Sequence, residues 1–226
     1  MRGARVRGAR VRGGVQEAVA RLGGDPRLLP GRARGGPAGR RTRDARSTVT
    51  DRLDQHGITV RPAVVSDVPH VQRLCEPFVQ KRILLGKDLV TLYGAIQEFQ
   101  VAVGPDGVPI GCGALHVMWD DLAEVRTLAL DPAWIRKGVG HRLLEALEGA
   151  AAGLEIRRLF CLTFEVGFFE QHGYVAVGDE GLVPVDAYAE LVRSTDEGVA
   201  EFLDLARVKP NTLGNTRMLK QLPARA

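Results

Sequence analysis

The sequence has little of what builds disulfide-stapled, membrane-spanning or metal-centred proteins. Its three cysteines, Cys75, Cys112 and Cys161, are odd in number and lie far apart in apolar surroundings, which predicts reduced core thiols in a cytosolic protein. No apolar run has the length needed to cross a bilayer or to form a secretory signal. The five histidines show no ligand spacing. We therefore expect a soluble protein with no membrane partner and no metal.

Residues 1–57 lack both lysine and aromatic side chains. They hold 14 arginines against 5 acidic residues, whereas residues 58–226 hold the other 17 of the 31 basic residues and 22 of the 27 acidic ones. A segment rich in Arg, Gly and Pro buries too little apolar surface to offset the entropy lost on ordering. We therefore expect a disordered extension over 1–57 and one folded domain over 58–226.

Three interpretations of the extension stay open. It fits an upstream-extended gene start, a basic tail with weak, non-specific affinity for RNA or for a membrane surface, or an Arg-rich organelle transit peptide. No specific nucleic-acid partner is expected in any of the three.

The stretch 122–147 predicts a strand, a glycine-bearing turn and an amphipathic helix in succession. The strand is closed by Asp131-Pro132, a pair that ends strands and opens turns. A helix that begins on Gly138-Val139-Gly140 leaves its first N–H groups uncovered, and with the helix dipole they form a seat for an anion. Glycine suits this seat because a Cβ would keep a phosphate from the main chain. Four apolar residues share one face of the helix: Val139, Leu143, Leu144 and Leu147.

By itself the turn also fits a tight strand-to-helix connection that binds nothing. It is not a Walker loop, and Leu143 stands where the dinucleotide fingerprint has its third glycine. However, the segment 135–140, IRKGVG, resembles the pyrophosphate loop of the GNAT superfamily of acetyl-CoA-dependent N-acetyltransferases, written Gln/Arg-x-x-Gly-x-Gly/Ala. Ile135 replaces the leading Gln/Arg, but Arg136 and Lys137 still supply positive charge beside the loop.

The remaining patterns predict secondary structure in the GNAT order, β-α-α-β-β-β-α-β-α-β. A first helix with Ser66 or Asp67 as its cap and a second helix near Asp88–Gln97 precede three consecutive antiparallel strands, Phe99–Val103, Val108–Trp119 and Leu122–Leu130. We therefore expect a single α+β domain, with a mixed, mostly antiparallel central sheet flanked by helices.

Three segments narrow the resemblance: LLGKDLVTLYGAIQEFQVA, EVRTLAL and EFLDLARVKPNTLGNTRMLKQL. They are similar to the short actinobacterial amino-acid N-acetyltransferases, the N-acetylglutamate synthases that begin arginine biosynthesis. The resemblance implies a cytoplasmic enzyme that transfers acetyl from acetyl-CoA to the α-amine of L-glutamate. The sequence leaves no room for the amino-acid-kinase-like domain of the long synthases. Short relatives often pair through their C-terminal strands, which implies a possible homodimer.

The resemblance also implies catalytic roles. An α-ammonium group must lose a proton before it can attack a thioester, and Glu124 matches the family's general base; pairing with Arg126 or Arg61 is the alternative. The main chain of Leu128 would hold the oxyanion. Phe168-Phe169 replaces the Phe-Tyr that supplies the acid in many relatives, so Thr163 is the expected acid, unless it only caps the next helix.

The expected cofactor contacts follow the same strand and loop. Main-chain groups of Thr127, Leu128, Ala129 and Leu130 would hold the pantetheine arm. The diphosphate would lie on the loop and the first helical turn: Arg136, Lys137, Gly138, Val139, Gly140 and His141.

The acceptor needs cationic or amide donors for its carboxylates. The candidates are Lys87, Arg126, Lys209, Asn215 and Arg217, with Arg82 and Asn211 nearby in sequence. Gly86-Lys87 offers one cation where the long synthases have two arginines, which leaves glutamate and glutamine both open. Another small amine or a protein N-terminus as acceptor, and a non-catalytic acyl-CoA sensor, are the remaining alternatives.

Overall fold

The computed structural model describes residues 57–178, 182–203 and 214–223. The expectations for residues 1–56, and for Lys209 and Asn211, fall outside these ranges.

One seven-stranded sheet forms the centre of the molecule. Its strands are β1 (Thr59–Pro62), β2 (Phe99–Val103), β3 (Pro109–Val117), β4 (Leu122–Leu130), β5 (Arg158–Thr163), β6 (Val175–Ala176) and β7 (Thr216–Gln221). The spatial order is β1-β2-β3-β4-β5-β7-β6, and within it only β4 and β5 are parallel neighbours. The prediction of a mixed, mostly antiparallel sheet with three consecutive antiparallel strands is confirmed.

Six α-helices accompany the sheet in the described ranges. They are α1 (Val68–Gln80), α2 (Leu89–Gly94), α3 (Val139–Gly153), α4 (Val166–Gln171), α5 (Val185–Leu191) and α6 (Glu197–Phe202). The predicted order is confirmed as far as β6, whereas α5, α6 and the insertion of β7 between β5 and β6 had no counterpart in the predictions. No described helix is long and apolar enough to cross a membrane.

The two faces of the sheet are covered by different helices. Apolar side chains of α1 and α2 pack with Val101, Cys112 and Ala129 on one face. On the other face α3 and α4 pack against Val125 and Leu159. The apolar face predicted for α3 is fully buried: Leu143, Leu144 and Leu147 are each 0% exposed.

The start of α1 differs from the prediction. Neither Ser66 nor Asp67 caps the helix through its side chain. Instead, Asp67 accepts a hydrogen bond from the N–H of Val64 at 2.8 Å and pairs with Arg61 at 2.6 Å. Because these bonds favour the ionised form, the pKa of Asp67 is lowered even though its burial acts in the opposite direction. Asp67 therefore joins β1 to the start of α1.

A β-bulge interrupts β4. Across the β3–β4 pair, Cys112 faces Ala129 and Ala114 faces Arg126, so two residues of β4 lie opposite Gly113 alone. Thr127 lies in the bulge with φ at 58°. The extra residue shifts the alternation of side chains, which places Val125 and Leu128 on the α3 face and Ala129 on the α1 face.

The parallel strands β4 and β5 separate soon after they meet. They pair only from Leu122 and Arg158 to Glu124 and Phe160, although β4 continues to Leu130 and β5 to Thr163. Beyond Glu124 that edge of β4 therefore has no strand partner within the described residues, which leaves its N–H and C=O groups on that side outside the sheet ladder. This separation forms the site described below.

Candidate active site

An open groove lies where β4 and β5 separate. The end of α1 and the bulged part of β4 form one wall, and the end of β5 with α4 forms the other. Its lining includes Phe78, Lys81, Thr127, Leu128, Pro132, Ile135, Thr163, Glu165, Phe168 and Phe169. An extended ligand that enters the groove therefore runs along the unpaired edge of β4.

The predicted anion loop lies at one end of this groove. Helix α3 begins at Val139 after Gly138, which has φ at 78°, and no side chain caps the helix. Arg136 also has a positive φ, 64°. Left-handed residues in a turn bring successive N–H groups together into a concave anion site, and the uncapped helix start adds its own N–H groups. The loop therefore keeps the main-chain donors that a diphosphate needs.

The two glycines of the loop, Gly138 and Gly140, have different structural roles. A Cβ on Gly140 would lie 3.5 Å from Phe168 Cε2 and 3.6 Å from Leu130 Cδ1, so it would point into the core. The expectation that glycine at this position keeps space for a phosphate is therefore wrong, because the space that a Cβ would fill lies toward the core. Gly138 is the position that needs glycine, because its φ is strained for any residue with a Cβ.

These two positions give a matched test of the loop. Gly138→Ala is expected to weaken acetyl-CoA binding about tenfold, because a left-handed Ala costs roughly 1–2 kcal/mol and relaxes by moving the N–H groups. Gly140→Ala adds the same methyl group at ordinary van der Waals distance and should bind within threefold of the parent. Calorimetric titration with CoA measures the affinity of each variant. Equal affinities for the two variants would contradict the assignment of the loop.

His141 contributes to this end of the groove indirectly. Its Nδ1 lies 2.7 Å from His172 Nε2, and its ring also contacts Phe168. Burial, followed by the charges of His141 and Lys220, lowers the pKa of His172 to about 4. The His141 ring is thus engaged with the residue that follows α4, which leaves its main-chain N–H for a bound anion.

The predicted acid lies in the groove wall. Thr163 ends β5 and is 8% exposed, and its Oγ1 accepts a hydrogen bond from Glu165 N at 2.9 Å. The hydroxyl hydrogen of Thr163 is not used by that bond, so capping of the next turn and proton donation are compatible. Phe169, in the position of the family's tyrosine, is buried and has no proton to donate.

A second, smaller pocket meets the groove at β4 and is the acceptor-side candidate. It shares Ile83, Leu84, Val125, Arg126, Thr127 and Leu162 with the groove, and it adds Leu85, Lys87, Glu124, Gly198, Glu201 and Asn215. Glu124 is 4% exposed, and among the described residues its Oε2 has no hydrogen-bond donor. Burial raises the pKa of Glu124, opposed by the charges of Arg126 and His116.

Arg126 lines this pocket, but its guanidinium group is held by carboxylates of the protein. Nη1 donates to Asp196 Oδ1 at 2.9 Å, Nη2 donates to Glu98 Oε2 at 3.0 Å, and Nη1 lies 3.8 Å from Glu124 Oε2. Glu98 also contacts His116 Nδ1 at 3.0 Å. Arg126 is therefore arranged to compensate buried carboxylates, which weakens its predicted role as a ligand for substrate.

The other predicted acceptor ligands differ in what they contact. Lys87 lines the pocket and makes no hydrogen bond or ion pair within the described ranges, although its charge acts on Glu124 and Asp196. Asn215 donates to Glu201 Oε1 at 3.0 Å. Arg217 donates to the carbonyl of Phe202 at 2.7 Å and does not line the pocket. Lys87 and Asn215 are therefore the candidates that the structure places beside Glu124.

Some residues of the site had no sequence signal. Glu98, Asp196 and Glu201 come from a 3₁₀ turn, a loop and α6, and only folding brings them to Arg126 and Glu124. Glu201 is the clearest case, since burial, and then the charge of Glu124, raises its pKa to about 7. In the described part of the chain no group of His, Cys, Asp or Glu side chains is placed to hold a metal ion, and the three cysteines are buried and unbridged.

Comparison with known proteins supports this geometry. Residues 82–174 match the acetyltransferase (GNAT) family. Over 163 residues the chain is 52% identical to an amino-acid acetyltransferase from Mycobacterium tuberculosis, a match that covers 71% of this chain and 92% of the relative. The chain belongs to the GNAT acetyltransferase family. It is an acetyl-CoA-dependent N-acetyltransferase, and the groove along β4 is the expected place for the cofactor.

Two solved structures are similar to this GNAT domain. A Mycobacterium tuberculosis protein in complex with CoA is 50% identical, has a TM-score of 0.70, and is matched over 99% of its chain and 73% of this one. N-acetylglutamate synthase from Neisseria gonorrhoeae, complexed with coenzyme A and N-acetyl-glutamate, is 26% identical with a TM-score of 0.59. That match covers 74% of this chain but 35% of the synthase, so the shared part is about a third of the longer protein.

Proposed function

We propose that this enzyme transfers the acetyl group of acetyl-CoA to the α-amine of L-glutamate, the first step of arginine biosynthesis. Support comes from the 52% identity to an amino-acid acetyltransferase and from the likeness to an N-acetylglutamate synthase bound to N-acetyl-glutamate. The observation that carries the proposal is Glu124, a buried carboxylate at the junction of the groove and the acceptor pocket whose Oε2 accepts no hydrogen bond from the described residues.

Glu124 fits the role of general base. Burial raises its pKa above the ordinary range of glutamate. A more basic carboxylate accepts a proton from an ammonium group more readily. The charge of the nearby Arg126 opposes this rise in pKa and favours the ionised form. Glu124 takes a proton from the acceptor ammonium group, directly or through one water molecule, and the free amine then attacks the thioester carbon.

The bulge of β4 provides the oxyanion donor. Attack of the amine places a negative charge on the former carbonyl oxygen, and a fixed N–H group at that point stabilises it. Leu128 lies in the bulge and lines the groove. It comes four residues after Glu124, in the part of β4 that is no longer paired with β5. The main-chain N–H of Leu128 is therefore our candidate donor. The pantetheine arm then continues along the edge toward Leu130 and the anion loop.

Lys87 is the proposed ligand for an acceptor carboxylate. It lies in the acceptor pocket, on the segment between α1 and α2, and its charge reaches Glu124. An ammonium group that has no ion pair or hydrogen bond within the described residues, and that lies beside a buried base, is well placed to bind an anionic substrate and orient its amine. One lysine binds one carboxylate as a point charge rather than as a paired fork.

L-Glutamine is a second candidate acceptor, favoured by one observation. The Oδ1 atom of Asn215 is buried without a donor among the described residues, while its Nδ2 is held by Glu201. An unpaired acceptor beside a carboxyl group matches the N–H groups of a side-chain amide better than a second carboxylate. Lys87 can therefore bind a carboxylate of either acceptor, and Asn215 is the feature that favours glutamine.

The proposal is tested by measuring acetyl-CoA consumption with each of the twenty amino acids and identifying the product by mass spectrometry. Acetylation of L-glutamate on its α-nitrogen, at a kcat/KM above that of every other amino acid, supports the proposal. Higher kcat/KM with L-glutamine selects the second candidate. Absence of product from all twenty, with CoA still bound, would overturn both and favour a different amine or a sensor.

Removal of the Lys87 charge should act on acceptor binding. Lys87→Met is expected to raise the KM of the preferred amino acid roughly 10–100-fold, because a charged hydrogen bond contributes roughly 1.5–3 kcal/mol, while the KM of acetyl-CoA stays within threefold. Lys87→Arg, which keeps the charge, should recover most of the loss. Arg73→Met on the exposed side of α1 is the control. An unchanged KM in Lys87→Met would remove Lys87 from the acceptor site.

A further inference from the structure

The chemistry of acetyl transfer leaves one requirement unmet by Glu124 and Leu128. When the tetrahedral intermediate collapses, the carbon–sulfur bond breaks and the thiolate of CoA must take a proton. Phe169 occupies the place of the usual tyrosine and has no acidic hydrogen. Thr163 has a hydroxyl group, but an alcohol is a weak acid unless another group supplies it with a proton. The groove therefore needs an acid that the sequence motifs do not name.

Glu165 lies in the groove wall and has no assigned role. It precedes α4, lines the same groove as Leu128 and Thr163, and is half-buried. Its main-chain N–H donates to Thr163 Oγ1, and its carbonyl accepts from Phe168 N at 3.0 Å. Both bonds fix the backbone at this residue. Among the described residues, its buried Oε1 has no hydrogen-bond donor.

The groove brings Glu165 together with the candidate oxyanion donor, since Leu128, Thr163 and Glu165 all line it. Glu124 pairs with Phe160 in the parallel β4–β5 ladder. Beyond that pair β4 runs on through the bulge to Leu128, while β5 ends at Thr163, two residues before Glu165. A thioester whose oxyanion lies at Leu128 has its sulfur in this groove, whose opposite wall holds Thr163 and Glu165.

The surroundings keep the Glu165 carboxyl group partly protonated near neutral pH. Burial raises its pKa to about 7. The charged side chains that line the groove with it are Lys81, at the end of α1, and Arg126 on β4, and Arg126 is already bound to Glu98 and Asp196. A bound pantetheine arm displaces water from the groove and strengthens the effect of burial.

We propose that Glu165 is the acid that protonates the leaving thiolate of CoA, directly or through the hydroxyl of Thr163. As the C–S bond breaks, sulfur keeps the electron pair and takes the carboxyl proton, which yields CoA thiol and the Glu165 carboxylate. Of the two protons that the ammonium nitrogen loses, one goes to Glu124 and one to water. Glu165 then takes a proton from solvent and Glu124 gives its proton to solvent, so each turnover releases one proton. The step does not depend on which amine is acetylated.

Glu165→Gln tests this role with an isosteric side chain that cannot act as an acid. We expect kcat to fall roughly 100-fold, in the range of a lost general acid, while CoA affinity by calorimetry stays within threefold. In the parent enzyme kcat/KM for acetyl-CoA should fall as pH rises through about 7, because the acid loses its proton. That alkaline limb should be missing in Glu165→Gln.

The neighbouring glutamate of α4 provides the matched control. Glu170 is exposed, and Glu170→Gln should keep the parent kcat and the parent pH profile. A Glu165→Gln enzyme with kcat within threefold of the parent, or with its alkaline limb intact, would overturn the proposal. So would a loss of CoA affinity above tenfold with kcat unchanged, because Glu165 would then only hold the arm. Loss of the limb in Thr163→Val but not in Glu165→Gln would assign the acid to Thr163 instead.

Discussion

Glu124→Gln is expected to bind CoA as the parent does and to turn over roughly 10³-fold more slowly. The substitution keeps the size and shape of the side chain but removes the base, and a positioned general base contributes roughly 10²–10⁴-fold. Because Oε2 of Glu124 has no hydrogen-bond donor among the described residues, the change from oxygen to NH₂ breaks no hydrogen bond there. Folding and CoA binding should therefore survive.

The pH dependence supplies a second measure of the same role. Burial raises the pKa of Glu124 above its ordinary range, and a base works only when it is deprotonated. In the parent enzyme kcat should therefore rise with pH through a value higher than that of an exposed glutamate. This acidic limb should be absent from the residual activity of Glu124→Gln, since glutamine does not titrate.

The control for this prediction is Glu145→Gln, a change of the same chemistry on the exposed side of α3. It should match the parent in kcat, in pH profile and in CoA affinity. If Glu124→Gln kept a tenth or more of the parent kcat, another group would be the base. If Glu124→Gln lost CoA binding together with turnover, Glu124 would be a structural residue of the groove.

Arg126→Met is expected to cost roughly 3–5 kcal/mol of unfolding free energy, because it leaves the buried Glu124 and the partly buried Glu98 and Asp196 without their cation. Arg126 has a side chain 9% exposed and lies within 3.0 Å of carboxylates on Glu98 and Asp196, with Glu124 at 3.8 Å. Such a loss lowers the Tm of a domain of this size by roughly 6–20 °C. Thermal and urea unfolding measure the loss.

The pH dependence of this loss has a definite sign. The pKa values of Glu98 and Asp196 are lowered, with burial opposing hydrogen bonds and the charge of Arg126. Acids with depressed pKa values stabilise the fold above their unfolded pKa, and that stability is lost as the pH falls through the folded pKa. The stability difference between the parent and Arg126→Met should therefore be full at neutral pH and should shrink as the pH falls below about 4.

Activity should change together with stability in this variant. Arg126 is the largest of the influences that lower the pKa of Glu124, so its removal raises that pKa further and moves the acidic limb of the activity profile to higher pH. Arg193→Met is the matched control, since Arg193 and Glu190 form an ion pair at 2.9 Å with side chains 72% and 58% exposed. Exposed pairs contribute little. Equal effects of the two substitutions would contradict the role given to Arg126.

Local patterns were enough for the elements that surround the groove. The Asp131-Pro132 pair does end a strand, since β4 stops at Leu130 and Asp131 Oδ1 accepts from Ala133 N at 2.9 Å. The spacing of Val139, Leu143, Leu144 and Leu147 does mark the buried face of α3. Patterns of this kind depend on residues within one or two turns of each other, and such short-range preferences are contained in the sequence itself.

The helix and strand ends were less well determined. The predicted helix Asp88–Gln97 is shorter, Leu89–Gly94, followed by a 3₁₀ turn at Ile96–Glu98. The expected cap Asp67 instead contacts β1 through Arg61. At Asp67 a contact with another element decides the local geometry, and that contact has no sequence pattern.

By itself the sequence determined the GNAT order of elements as far as β6, and the resemblance predicted an anion loop before α3 and Glu124 as the base. The tertiary structure decided what those parts can do. It alone showed that β4 and β5 separate after Glu124, that Arg126 is shared among three carboxylates, and that Glu165 lies in the groove wall. The physical reason is that burial and charge at a site are sums over residues far apart in sequence, and only the folded chain brings those residues together.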